Sequence, residues 1–107
     1  MANTFKNALA KDVGTSAVSV YAAPSGKKSI AIELDVCNTT NSGVTVDAYI
    51  TSGGVNYYIV KSTPVPVGGS LQVISGQKIV LSDGDTLKIV SNTAASIDVV
   101  TAILEDV

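Results

Sequence analysis

Ser29-Ile30-Ala31-Ile32-Glu33-Leu34-Asp35-Val36-Cys37-Asn38 and, after a polar break, Val44-Thr45-Val46-Asp47-Ala48-Tyr49-Ile50-Thr51 decide the fold class. Successive side chains on a strand point to opposite faces, so apolar residues at every second position mark a strand with one dry side. In the first run Ile30, Ile32, Leu34 and Val36 form the dry face, and Ser29, Ala31, Glu33, Asp35 and Cys37 the other. In the second run Val44, Val46, Ala48 and Ile50 are dry, while Thr45, Asp47, Tyr49 and Thr51 look away. Between them Asn38-Thr39-Thr40-Asn41-Ser42-Gly43 is built of turn formers. Two amphipathic strands around a polar loop predict an antiparallel hairpin.

The same grammar continues on both sides. Before this stretch, 16–23 alternates Val18 and Val20 against Ala17, Ser19 and Tyr21, until Pro24-Ser25-Gly26-Lys27 turns the chain. After it, Ser52-Gly53-Gly54 is a tight reversal. The run 55–61 carries Tyr57 beside Tyr58; adjacent strand positions predict one ring buried and one exposed. Pro64 and Pro66 make 62–69 a crossing segment or a sheet edge. Two short strands, 70–74 and 78–81, flank a predicted turn at Ser75-Gly76-Gln77. A further strand at 86–91 turns Leu87 and Ile89 inward. The last, 97–104, is apolar on both faces, so it lies inside a sheet or under a partner. Residues 1–14 read as an N-terminal arm or edge strand ahead of one domain at 15–107. The expected fold is all-β: an antiparallel β-sandwich, jelly-roll or Ig-like, of about eight or nine strands.

Composition narrows the chemistry. The chain has 107 residues, 46 % of them hydrophobic, which is enough for one domain with a real core. Net charge is −2 and every cation is a lysine, so no basic, arginine-bearing surface recruits nucleic acid. No stretch reaches the roughly 18 apolar residues of a transmembrane helix, and the opening Met1-Ala2-Asn3-Thr4-Phe5-Lys6-Asn7 does not read as a secretory signal. Histidine is absent, which removes Ser-His-Asp and Cys-His catalysis. A Ser-Lys pair remains formally open, yet Lys6, Lys11, Lys27, Lys28, Lys61, Lys78 and Lys88 read as solvated charges. Cys37, the one cysteine, rules out an internal disulfide and a thiolate zinc site and reads as a small strand residue. The alternation predicts that Glu33, Asp35 and Asp47 share the polar faces of adjacent strands. That arrangement offers a cation site or a carboxylate pair, against the plainer reading of a solvated face neutralised by Lys61. Asp83-Gly84-Asp85 looks like the start of a calcium loop without its later glutamate, hence a β-turn. Gly53-Gly54 and Gly68-Gly69 lack the Lys-Ser/Thr and helix of a phosphate cradle. No catalytic residue, cofactor or metal site is expected.

The order of motifs is itself informative: Val20-Tyr21-x-x-Pro24-x-Gly26-Lys27-Lys28, then the long strand ending Asn38-Thr39-Thr40, then Tyr57-Tyr58-x-x-Lys61. Val65-Pro66-x-Gly68-Gly69-Ser70-Leu71 and Lys78-Ile79-Val80-Leu81-x-x-Gly84-Asp85-x-Leu87-Lys88 complete it. Over 15–105 this resembles small virion structural proteins of tailed bacteriophages, including marine and cyanobacterial ones. The resemblance implies a non-enzymatic β-sandwich on capsid, neck or tail, made in the host cytoplasm and released in the virion. Its expected partners are other virion proteins and further copies of itself, with no nucleic acid and no membrane. A second reading is a carbohydrate- or receptor-binding module of a phage fibre or tail. It would use the loops 38–43, 52–56 and 92–96, with a ring from Tyr49 or Tyr58.

Overall fold

Val, Ile and Thr favour a pleated backbone, and the computed structural model, which describes residues 4–105, shows eight strands. They are β1 (Thr4–Val13), β2 (Val18–Ala22), β3 (Ser29–Asn38), β4 (Val44–Ser52), β5 (Val55–Val65), β6 (Ser70–Leu81), β7 (Thr86–Ser91) and β8 (Ile97–Glu105). Two four-stranded antiparallel sheets pack face to face, in the orders β1-β8-β3-β6 and β2-β7-β4-β5. Six of the seven connections pass from one sheet to the other, and only β4–β5 stays within a sheet. This interleaving is a jelly roll, the first of the two sandwiches expected from the sequence.

The core lies between the sheets. Leu34, Ile74, Leu81, Ile97, Val99 and Ile103 come from the first sheet and meet Val46, Leu87 and Ile89 from the second, all fully buried. Each such side chain contributes about 1.5–3 kcal/mol by leaving water. β8 runs between β1 and β3, so the apolar character of both its faces fits an interior strand.

Three local expectations change. First, β3 and β4 are not a hairpin: β3 pairs with β6 and β8, and β4 with β5 and β7. The polar loop is a crossing between layers. Asn38 holds it, its Nδ2 donating to Ser42 O at 2.8 Å and Val65 O at 3.0 Å, and its Oδ1 accepting from the Thr40 N–H at 2.9 Å. Second, the alternation along β3 changes phase at a bulge between Ala31 and Glu33. Ser29 and Ala31 are buried before it, Leu34, Val36 and Asn38 after it, and Ile30 turns to the outside. Third, β6 is one continuous strand. The predicted turn at Ser75-Gly76-Gln77 is a bulge in which Gly76 and Lys78 take φ of 94° and 63°. The two prolines divide the work between them. Pro64 sits in β5, an edge strand where a missing N–H costs no ladder bond, and Pro66 opens the crossing to β6. A carbonyl–amide bond at 3.0 Å from Gly69 N to Pro66 O closes that crossing turn.

Candidate functional site

Side chains that leave the core face outward, and on the β1-β8-β3-β6 sheet they line up in rows. Register pairs Phe5 with Leu104, Leu104 with Ile30, and Ile30 with Val80. An apolar row thus crosses all four strands, ending in Phe5 at 75 % exposure and Val80 at 58 %. The bulge in β3 makes this row possible, because it turns Ile30 outward. Two rows further along, Leu9 (67 % exposed) pairs with Val100, which pairs with Asp35, which pairs with Gln72. Between them lies Asn7, Ala102, Glu33 and Ser75. Two shallow hollows dent the β1–β8 part of this face. One, of about 280 Å³, is lined by Leu9, Lys11, Asp98 and Val100, and another, of about 270 Å³, by Phe5, Asn7 and Ala102.

Glu33 and Asp35 project from this face as neighbours two positions apart on β3. Desolvation raises the Glu33 pKa above the usual glutamate range, and the Asp35 charge and a hydrogen bond between the two carboxyls add to it. Asp35 Oδ1 is buried without a hydrogen-bond partner. Asp98, at the far end of the face, is occupied: it accepts from the Asp12 N–H at 3.0 Å and lies 3.6 Å from Lys11 Nζ.

The opposite outer face, on β2-β7-β4-β5, has a different character. Tyr49 pairs with Tyr58 on one side and Lys88 on the other. The two rings lie 4.9 Å apart at 42°, and Lys61 Nζ stands 4.3 Å over the Tyr58 ring. Neither of the adjacent tyrosines is buried; Tyr57 and Tyr58 are 59 % and 46 % exposed, and Tyr49 beneath Tyr58 is the covered ring. Asp47 lies on this face too, its Oδ1 accepting the Ser62 N–H at 2.6 Å.

The three carboxylates therefore do not share a site. Glu33 and Asp35 lie in one sheet and Asp47 in the other, and Lys61 covers a ring instead of neutralising them. Asp85 ties its own turn, with Oδ2 accepting from Ser82 N–H at 3.0 Å. Among the described residues no three His, Cys, Asp or Glu side chains group as a metal site. Cys37 is exposed on the outer face of β3, not packed. The loops named for glycan binding also separate. Those at 39–43 and 92–96 share one end of the sandwich, where Thr39 N–H bonds Ser96 O and Asn92 N–H bonds Thr45 O, while the β4–β5 turn lies at the other end beside Thr86. One buried titratable group is Tyr21, whose hydroxyl bonds Ser29 Oγ at 2.7 Å and donates to the Glu105 carboxylate, itself 3.7 Å from Lys6 Nζ. Burial first, then the bond to Glu105, raises its pKa, so the phenol keeps its proton and serves as a bolt between sheets. The apolar row was not legible in the sequence because strict alternation placed Ile30 in the core. Its one visible sign was that 97–104 is apolar on both faces.

No protein-family model matches the chain, and no curated protein does. Among solved structures, a chain from the disulfide-linked pili of Bacillus endospore appendages superimposes with a TM-score of 0.59 at 19 % identity, covering 97 % of this chain and 87 % of that one. A chain from infectious bursal disease virus, Gt strain, gives a TM-score of 0.46 at 11 % identity, covering 97 % of this chain and 36 % of that one. The second is too distant in shape to add to the first. The likeness to the pilus chain is one of fold: an all-β sandwich of two antiparallel sheets.

Proposed function

We propose that this chain is a non-enzymatic building block of an assembled extracellular particle, and specifically a bacteriophage virion structural protein that joins copies through its sheets. The observation that carries the reading is the Phe5–Leu104–Ile30–Val80 row, an apolar band across a whole sheet that is open to water in the single chain. A band of this kind is the mark of a surface meant to be covered. The shared fold with a pilus chain supports the assembly role, and the motif order supports the phage setting. The means of linkage would differ from disulfide-linked pili in one respect: a single thiol per chain ties two copies and cannot by itself extend a series. Against the glycan-binding reading stands the separation of its three loops between opposite ends of the molecule.

The test is the mass of the purified protein by sedimentation velocity across about a hundredfold range of concentration. A discrete oligomer, or mass growing with concentration, is expected; a monomer throughout overturns the assembly reading. Co-migration of the protein with intact virions in a density gradient checks the phage setting, and its absence from washed particles overturns that part alone.

A further inference from the structure

The apolar row raises the question of what covers it, and charge narrows the choice. Among the described residues, Glu33 and Asp35 have no ion-pair partner, whereas Asp98 and Glu105 are paired with Lys11 and Lys6. The face therefore combines apolar side chains with two uncompensated carboxyls near its centre. If it packed on itself about a two-fold axis, each Glu33–Asp35 pair would be brought towards its own image, and like charges in contact are unfavourable. The other outer face has the complement. Lys61 and Lys88 have no ion-pair partner among the described residues, Asp47 on that face is taken by a backbone N–H, and Tyr58 offers an exposed ring between the two lysines. The molecule measures 45 × 26 × 21 Å, so a sheet face has room for the about 800 Å² per partner of a standard interface.

We infer that copies stack unlike face to unlike face, the outer side of β1-β8-β3-β6 of one against the outer side of β2-β7-β4-β5 of the next. The apolar row and Leu9 then pack on the Tyr58 region, while Lys61 and Lys88 approach Glu33 and Asp35. Such a contact is heterologous: each copy keeps one free face of each kind, and the series closes as a ring or continues as a filament according to its rotation. The inference rests on the assembly reading above and adds which surfaces meet.

Two charge-reversed proteins test it: Glu33→Lys with Asp35→Lys, and Lys61→Glu with Lys88→Glu. Each alone presents like charge to like and is expected to associate at least tenfold more weakly than the natural protein, with an unchanged circular-dichroism spectrum. Mixed in equal amounts, they carry opposite charges on facing surfaces, and association should return to within a few-fold of the natural value. Natural protein that assembles while both folded variants assemble equally well, or a mixture that fails to recover, overturns the stacking and leaves the assembly reading standing. Natural protein that stays monomeric defeats the assembly reading, and the stacking with it. Should a reversed protein fail to fold, Glu33→Gln with Asp35→Asn and Lys61→Gln with Lys88→Gln replace it. These should abolish the weakening of association by salt, and undiminished salt sensitivity overturns the inference.

Discussion

Glu33 shows how one side chain can register the state of a surface. Its carboxyl holds a proton to higher pH than in an unfolded chain, because desolvation and the neighbouring Asp35 both penalise its charge. The unfolded chain therefore ionises first as pH rises. Its contribution to folding stability is undiminished below the ordinary glutamate range, falls as pH climbs from there through the raised folded value, and stays reduced above it. Glu33→Gln cannot ionise. We expect its urea midpoint to change less than that of the natural protein between about pH 4 and pH 7, and to equal or exceed it at the upper end. A natural protein that gains stability over that window through this residue would contradict the assignment. Gly14 makes a different point at the same scale. A Cβ there would stand 2.9 Å from Ala95 N and 3.1 Å from Ala94 Cα, so the β1–β2 connection passes against the β7–β8 loop with no room for a side chain. Nothing in the residues around Gly14 reveals that contact, since its cause lies about eighty positions away in the chain.

At the scale of the element, period-two patterning located strands well and misjudged how they join. Leu34, Val36, Val44, Val46 and Ala48 are buried as their spacing requires. Ile30 is not, because a bulge adds one residue and reverses the phase, and a bulge is set by the neighbouring strands instead of by local sequence. The hairpin at 29–51 failed for a related reason. A polar loop with turn formers serves a layer crossing as readily as a reversal, and only the pairing partners, far away in the chain, separate the two. Gly76 marks the same limit in β6, where a positive-φ glycine inside a strand has the same local sequence as a turn. Its φ of 94° is disfavoured for any residue with a Cβ, although a Cβ there would meet nothing within 4 Å. Gly76→Ala should therefore cost about 1–3 kcal/mol through backbone strain alone. Chemical denaturation checks this; a loss under about 0.5 kcal/mol would mean that the bulge relaxes without penalty.

For the whole molecule, the candidate site is a surface and not a cleft, so the absence of histidine and the lone cysteine, which bear only on catalysis, could not point to it. Replacing Phe5 and Val80 together by Ser removes the ends of the apolar row. Both are exposed in the single chain, so their joint effect on its stability should stay within about 1 kcal/mol. Self-association should weaken at least tenfold, as read by sedimentation alongside thermal melting. Full association with normal melting would show that the row is not part of any contact. The jelly-roll order has one more effect. β1 finds its ladder partner in β8, and Asp12 bonds Asp98, 86 positions later. A ribosome adding about 5–20 residues per second leaves the first strand waiting roughly 4–17 s for that partner. Throughout that interval the backbone N–H and C=O groups of the newborn first strand have no ladder partner, an open edge on which a second unfinished chain could pair before β8 emerges.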